Sequence, residues 1–123
     1  MSNVAFVLGN GVSRQSISLE KLKNYGVIYG CNALYRDFEP DVLVAVDPKM
    51  IIEICGVEWQ KTHEVWTNTN SKYQSLTHLN YLNPTRGWAS GPTAILKACD
   101  DGYDEIFILG FDFQGIGNYV NNI

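Results

Sequence analysis

Basic residues are scarce in this 123-residue chain, where 9 Lys+Arg stand against 13 Asp+Glu and the formal net charge is −4. Proteins that bind nucleic acids through phosphate contacts are usually basic, so this balance argues against nucleic-acid binding. No apolar run reaches the roughly 18 residues that a membrane-spanning helix needs. The first residues also lack the basic segment of a secretory signal. We therefore expect a cytoplasmic protein without a membrane span.

Cysteine pairs at metal-binding spacing are absent as well. Cys31, Cys55 and Cys99 lie far apart, no CxxC pair occurs, and neither His63 nor His78 has a partner at ligand spacing. This pattern excludes the usual structural zinc sites and gives no disulfide framework. We expect reduced thiols, most of them buried.

Hydrophobic residues are plentiful, at 46% of the chain against 18% charged, which is enough for one domain with a real core. Several apolar runs are hydrophobic at successive positions, as in parallel strands covered on both faces. Helical patterns lie between them. We predict one Rossmann-like nucleotide-binding domain over residues 1–123, with an open, mostly parallel α/β/α sheet. The expected strands are residues 4–8, 27–29, 42–46, 64–66, 78–82 and 105–109, and the expected helices are 19–23, 48–54 and 91–101.

The segment after the sixth expected strand, residues 115–123, reads as a loop. A doubly wound sheet usually covers such a strand with a further helix. Either a second subunit supplies this cover in a homo-oligomer, or the chain is truncated at its C-terminus. The sequence leaves both interpretations open.

Polar residues follow the expected strands where the ligand face of an open α/β sheet lies. Asn, Asp and Gly also favour turns, which is the alternative explanation. The residues before the strands are less polar, so we favour a ligand face. The strand-end residues are Asn10, Asn32, Asp47, Thr67, Asn68, Asn83 and Asp112.

The first of these turns contains Gly9, Asn10 and Gly11, followed by Ser13 and Arg14. Two glycines allow the backbone to approach a ligand closely. Backbone amides there, with Ser13 and Arg14, would hold a phosphate. The turn is not a dinucleotide fingerprint, because Arg14 replaces the third glycine of GxGxxG.

A second anion site is expected at the start of the best predicted helix. Unpaired amides and the helix dipole favour negative charge there. Pro92 has no amide hydrogen, so Ser90, Gly91 and Thr93 would make the contacts. A simple helix cap explains this segment equally well.

Asp47 and Asp112 end expected strands and would bind a ribose or a divalent cation such as Mg²⁺. For Asp47, the alternative is an N-cap for the helix that begins at Pro48. Trp59, Trp66 and Trp88 are interpreted as core and loop packing, although Trp88 lies close to the expected anion site. No residue is assigned as catalytic.

Taken together, several motifs resemble those of bacterial family 42 sialyltransferases. That family has a GNGPS turn, a CN turn after its second strand and a TSG helix start around the CMP part of CMP-sialic acid. The matching segments here are GNGVS at 9–13, CN at 31–32, SG at 90–91 and GYDEIFILGFD at 102–112. A second resemblance, of PDVLVAVD at 40–47, is to the MptE-like, pterin pyrophosphokinase-like group, whose terminal aspartate lies near phosphate and metal.

The first resemblance implies that Asn10 and Asn32 contact the sugar or base of a nucleotide, and that Ser90 and Gly91 contact its phosphate. The second implies a metal-side or phosphate-side role for Asp47. Val12 stands where the sialyltransferases have proline, and Ala89 where they have threonine. Their lid and catalytic histidine lie in a part that has no counterpart here, so neither His63 nor His78 is assigned as the general base.

Three functional hypotheses follow. The leading one is a nucleotide-binding or nucleotide-sugar-binding domain of glycosyltransferase type with a CMP-sugar donor. The second is a diphosphokinase-like transferase that uses ATP and Mg²⁺. The third is a non-catalytic domain that keeps only the fold, for which we expect an exposed apolar patch beside the sixth strand.

Overall fold

The computed structural model describes residues 3–111, and a six-stranded sheet runs through this part of the chain. Its strands are β1 (Val4–Leu8), β2 (Val27–Cys31), β3 (Val42–Val44), β4 (Val65–Thr67), β5 (Asn80–Tyr81) and β6 (Glu105–Leu109). Their order across the sheet is β5-β4-β3-β2-β1-β6, and every neighbouring pair is parallel. The sheet is open, which confirms the predicted fold class.

Within the described part of the chain, three α-helices cover the sheet: α1 (Leu19–Leu22), α2 (Pro48–Gly56) and α3 (Ser90–Asp100). On one face, Ala94 and Ala98 of α3 belong to the same buried cluster as Val7, Tyr29 and Val44. These small side chains let the helix lie close to the sheet. The other face packs against α1 and α2. Short 3-10 turns occupy Val12–Ser16, Asn32–Arg36, Trp59–Lys61 and Ser71–Tyr73.

The predicted ends of four strands need correction. β4 spans Val65–Thr67, one residue later than the expected 64–66, and β5 spans only Asn80–Tyr81 of the expected 78–82. The second strand continues past the expected 27–29, because Gly30 and Cys31 stay paired with β3. The third strand ends two residues before the expected 42–46. The amide of Val46 donates to the Ser90 hydroxyl at 3.0 Å, so it does not join the sheet.

The strand order reverses between β1 and β6. The chain steps across the sheet from β1 to β5, and α3 then carries it back so that β6 lies on the free side of β1. Such a reversal is where open α/β sheets form a ligand crevice at the carboxyl ends of their strands. The fold therefore directs attention to the turn that follows β1.

Side-chain hydrogen bonds attach both ends of α3, one to the segment that follows β3 and the other to β2. At its start, the Ser90 hydroxyl accepts the Val46 amide. At its end, the Tyr29 hydroxyl donates to the carboxylate of Asp101, which also pairs with Lys97 at 2.7 Å. The Lys97 ammonium lies 3.9 Å from the centre of the Trp66 ring. Side chains of β2 and β4 thus hold the end of the helix that is far from Ser90.

The edge strand β6 carries apolar side chains that remain partly in solvent. Phe107 is 48% exposed and Ile108 is 49% exposed. Phe107 stacks on Phe6 at a ring separation of 5.5 Å. Phe107 and Ile108 are consecutive in the strand and therefore lie on opposite faces of the sheet. The apolar patch expected beside the sixth strand, and its cover by another subunit, stay predictions. Within residues 3–111 no helix has the length and apolar character to span a membrane.

Candidate functional site

Three of the predicted site residues lie along the carboxyl edge of the sheet. Leu8 pairs with Gly30, and Cys31 pairs with Val44, so the residues that follow β1, β2 and β3 are neighbours. The Asn10 side-chain amide donates to the Cys31 carbonyl at 3.0 Å, one residue before Asn32. Ser90 joins the same edge through its 3.0 Å bond from the Val46 amide. Asn10, Asn32 and Ser90 therefore lie along the same edge of the sheet despite their separation in sequence.

The turn after β1 is tied to β6 in a way that changes its expected role. The Gly9 amide donates to the Leu109 carbonyl at 2.7 Å, and the Gly11 amide donates to the Gly110 carbonyl at 2.6 Å. A Cβ atom on Gly9 would lie 2.5 Å from the Gly110 oxygen. Gly9 allows a close contact between the backbone of the first turn and the backbone after β6. The expectation that the Gly9 and Gly11 amides hold a phosphate is therefore wrong.

Arg14 is also engaged inside the protein. Its side chain is 5% exposed, and its guanidinium donates to the Asp37 carboxylate at 3.0 Å and to the Asn10 side-chain oxygen at 3.4 Å. The Nε atom is buried and has no hydrogen-bond partner. Arg14 therefore fixes Asn10 and cannot reach a phosphate as a free cation. Ser13 is exposed and has a bonding partner, which leaves its expected ligand role a prediction.

Asn32 differs from Asn10 in having an unused side-chain oxygen. Its φ is 52°, in the left-handed region, and it begins the 3-10 turn Asn32–Arg36. The Oδ1 atom is buried without a hydrogen-bond partner. An unsatisfied buried acceptor costs about 1–3 kcal/mol. Asparagine adopts the left-handed region more readily than most residues, so the φ value fits the turn and the unpaired oxygen is the evidence for a ligand. Among the predicted site residues, Asn32 is therefore the strongest candidate for a direct ligand contact.

The start of α3 supplies backbone donors at the same edge. Ser90 and Gly91 precede the first intrahelical bond, which runs from the Thr93 amide to the Ala89 carbonyl at 3.1 Å. Their amides therefore have no acceptor within the helix. The Thr93 hydroxyl donates to the Ala89 carbonyl at 2.7 Å, so this buried side chain supports the backbone. The helix backbone, more than the Thr93 side chain, faces the expected anion site.

Asp47 acts as the N-cap of α2, since its Oδ1 atom accepts the Lys49 amide at 3.0 Å. The residue remains exposed. Within residues 3–111 no group of three or more His, Cys, Asp or Glu side chains is arranged to hold a metal ion. A metal role for Asp47 stays a prediction. Asp112 lies outside the described residues.

Asn68, which follows β4, was placed at this edge by the sequence but given no role. Its Nδ2 atom donates to the Arg86 carbonyl at 2.9 Å, and its Oδ1 atom is buried without a partner. The bond attaches the loop of residues 83–89 to the carboxyl edge. The sequence signal was the polar residue after the strand, whereas the contact to Arg86 depends on the tertiary fold.

A groove of about 580 Å³ adjoins the site between α3 and β6. Ser13, Pro92 and Gly110 contribute to its lining near the first turn, and Ile95 and Ile108 contribute apolar surface farther along.

Burial raises the pKa of the Cys31 thiol, beside Asn32, to about 12. The thiol is therefore protonated at neutral pH and offers neither a nucleophile nor a metal ligand.

In comparisons with known proteins, no protein-family model, curated protein or solved structure matches the chain.

Proposed function

We propose that this domain binds a nucleotide or nucleotide sugar along the carboxyl edge, in contact with Asn32 and the start of α3. The observation that carries the proposal is the Asn32 side chain, whose buried oxygen lacks a partner at a residue with φ of 52°. A ligand N–H or O–H bonded to this oxygen would remove the cost of leaving it unsatisfied. Ribose hydroxyls and base amino groups are donors of this kind.

The phosphate of such a ligand would lie at the Ser90 and Gly91 amides. The N-terminus of an α-helix combines free N–H groups with the positive end of its dipole. In a glycosyl transfer from a CMP-sugar, these groups would stabilise the phosphate as it leaves with negative charge. The resemblance to sialyltransferases supports this reaction class. Among the described residues, we assign none as the general base of the transfer.

The proposal is tested by thermal unfolding with CMP, UMP, AMP, GMP and CMP-sialic acid at millimolar concentration, each with and without Mg²⁺. Ligand at 100 times its Kd adds about 2.7 kcal/mol to the free energy of unfolding. We expect a saturable rise in melting temperature with at least one of these compounds. No shift with any member of the panel would overturn the proposal.

Asn32→Gly is expected to weaken nucleotide binding while leaving the fold intact. Glycine adopts a φ of 52° without strain, so the free energy of unfolding should stay within about 1 kcal/mol of the wild type. Loss of one hydrogen bond should raise the Kd of the bound nucleotide about 2- to 10-fold. Urea unfolding with and without that nucleotide measures both quantities.

Asn32→Ala provides the matched control. It removes the same oxygen but keeps a Cβ in the left-handed region, so we expect an additional loss of about 1–2 kcal/mol in stability. Equal Kd values for wild type and Asn32→Gly would show that the side chain does not contact the ligand.

The exposed Asp47 carboxylate supports a second candidate, a diphosphokinase-like transferase that binds ATP with Mg²⁺. Asparagine is also a good N-cap, so Asp47→Asn should preserve α2 while removing the charge. In this second case the variant loses Mg²⁺-dependent ATP binding. In the leading case CMP binds without Mg²⁺ and Asp47→Asn changes its Kd little. Titration calorimetry with each ligand, with and without Mg²⁺, distinguishes the two.

A further inference from the structure

We propose that Trp88 is the surface on which the base of the bound nucleotide stacks, so that this residue selects nucleotides over simpler phosphates. The inference rests on the proposed function and adds a contact that the sequence did not assign. Trp88 is 45% exposed. It stands two residues before Ser90, whose hydroxyl is bonded to the carboxyl edge. In the sequence, the residue is thus close to the Ser90 and Gly91 amides that would hold the phosphate.

The backbone around Trp88 is fixed on both sides. The Arg86 carbonyl accepts the Asn68 side-chain amide at 2.9 Å, and the Ala89 carbonyl accepts the Thr93 hydroxyl at 2.7 Å. The indole is therefore attached to a loop that is held at two points to β4 and α3. A surface held in this way can bind a planar ring without first ordering the loop.

Core packing does not explain Trp88, whereas it explains the other two tryptophans. Trp59 stacks on the His63 ring at 3.4 Å and packs against the buried cluster beneath α2. Trp66 packs against the cluster beneath α3 and lies under Lys97. Trp88 belongs to none of the three buried clusters. A large aromatic surface left in solvent beside a polar edge is typical of a binding surface.

The charge around the indole fits an anionic, planar ligand. The Arg86 guanidinium lies over one face of the Trp88 ring, 5.2 Å from its centre, so a base would stack on the opposite face with a positive charge close by. The Oδ1 atom of Asn68, the residue that anchors this loop, is buried without a hydrogen-bond partner, and a donor group of the ligand would satisfy it. A nucleobase offers the flat ring and the donors, and its phosphate offers the negative charge.

The test compares CMP with ribose 5-phosphate and inorganic phosphate on wild type, Trp88→Phe, Trp88→Leu and the control Trp66→Phe. Base stacking on an aromatic side chain corresponds to about a 5- to 140-fold change in Kd. We expect Trp88→Leu to weaken CMP binding by such a factor, Trp88→Phe to weaken it less, and neither to change the Kd of the two phosphates. CMP should also quench the fluorescence of wild type and Trp66→Phe but not of Trp88→Leu.

Unchanged CMP affinity in Trp88→Leu would overturn the stacking inference while leaving the proposed function in place. An equal loss for CMP and ribose 5-phosphate would also overturn it, because the substitution would then act through the phosphate end of the site. If wild-type protein binds no nucleotide, both the proposed function and this inference fail.

Discussion

Gly9→Ala is expected to lower the free energy of unfolding by about 1–3 kcal/mol, the range for overpacked interiors. The new Cβ would lie 2.5 Å from the Gly110 oxygen and 3.0 Å from the Gly110 carbon. Both atoms belong to the backbone, and hydrogen bonds of 2.7 and 2.6 Å hold the turn after β1 against the end of β6 there. The clash is therefore relieved only if the backbone after β1 moves away from the backbone after β6.

Urea unfolding of wild type and variant measures this effect, and Gly56→Ala is its control. A Cβ on Gly56 meets no atom within 4 Å, and the residue lies at the end of α2. Alanine favours helical backbone, so the control should be neutral or slightly stabilising. If the two alanine variants unfold at the same urea concentration, the close approach of Gly9 to Gly110 is incorrect.

Arg14→Met is expected to cost about 1.5–3 kcal/mol, as for the loss of hydrogen bonds to a charged group. Methionine keeps much of the side-chain volume but removes the 3.0 Å contact with Asp37 and the 3.4 Å contact with Asn10. Because Asn10 in turn holds the Cys31 carbonyl, the position of Asn32 should also loosen. We therefore expect nucleotide affinity to fall together with stability.

A double-mutant cycle separates the ion pair from simple loss of packing. Arg14→Met, Asp37→Asn and the combined variant are compared by urea unfolding, and a coupling of about 0.5 kcal/mol or more is expected for groups in direct contact. Asp37 is 38% exposed, so its own substitution should cost less than that of Arg14. Purely additive effects would show that the pair does not contribute to stability.

Local sequence patterns determine most of the sheet. The runs at residues 4–8 and 105–109 give the bounds of β1 and β6 without error, because strands of a parallel sheet are apolar at successive positions. β1 is buried as this pattern predicts, whereas β6 lies at the edge of the sheet and stays partly exposed. The end of β3 was misplaced since the Val46 amide bonds to Ser90, 44 positions later. Such a bond depends on how α3 lies over the sheet. No run of adjacent residues contains that information.

For the candidate site too, local sequence patterns predict some residues, whereas contacts between distant residues are not predicted. Strand-end position selected Asn32, because parallel strands place their carboxyl ends at one edge, and the predicted start of a helix selected Ser90. The Arg14–Asp37 pair spans 23 residues, and the Gly9–Gly110 contact joins opposite ends of the described chain, so spacing predicts neither. The first turn was consequently interpreted as a phosphate loop, whereas Gly9 allows the backbone after β1 to approach the backbone after β6 closely.

The attachment of α3 at both ends has a consequence for how a ligand would be received. Ser90 is bonded to the chain after β3, and Asp101, directly after the helix, is bonded to Tyr29 of β2, so a side-chain hydrogen bond holds each end of α3 against the sheet. Its leading amides therefore point in a fixed direction before any ligand arrives. A phosphate would meet donors whose orientation is already set, with little conformational entropy left to lose on binding.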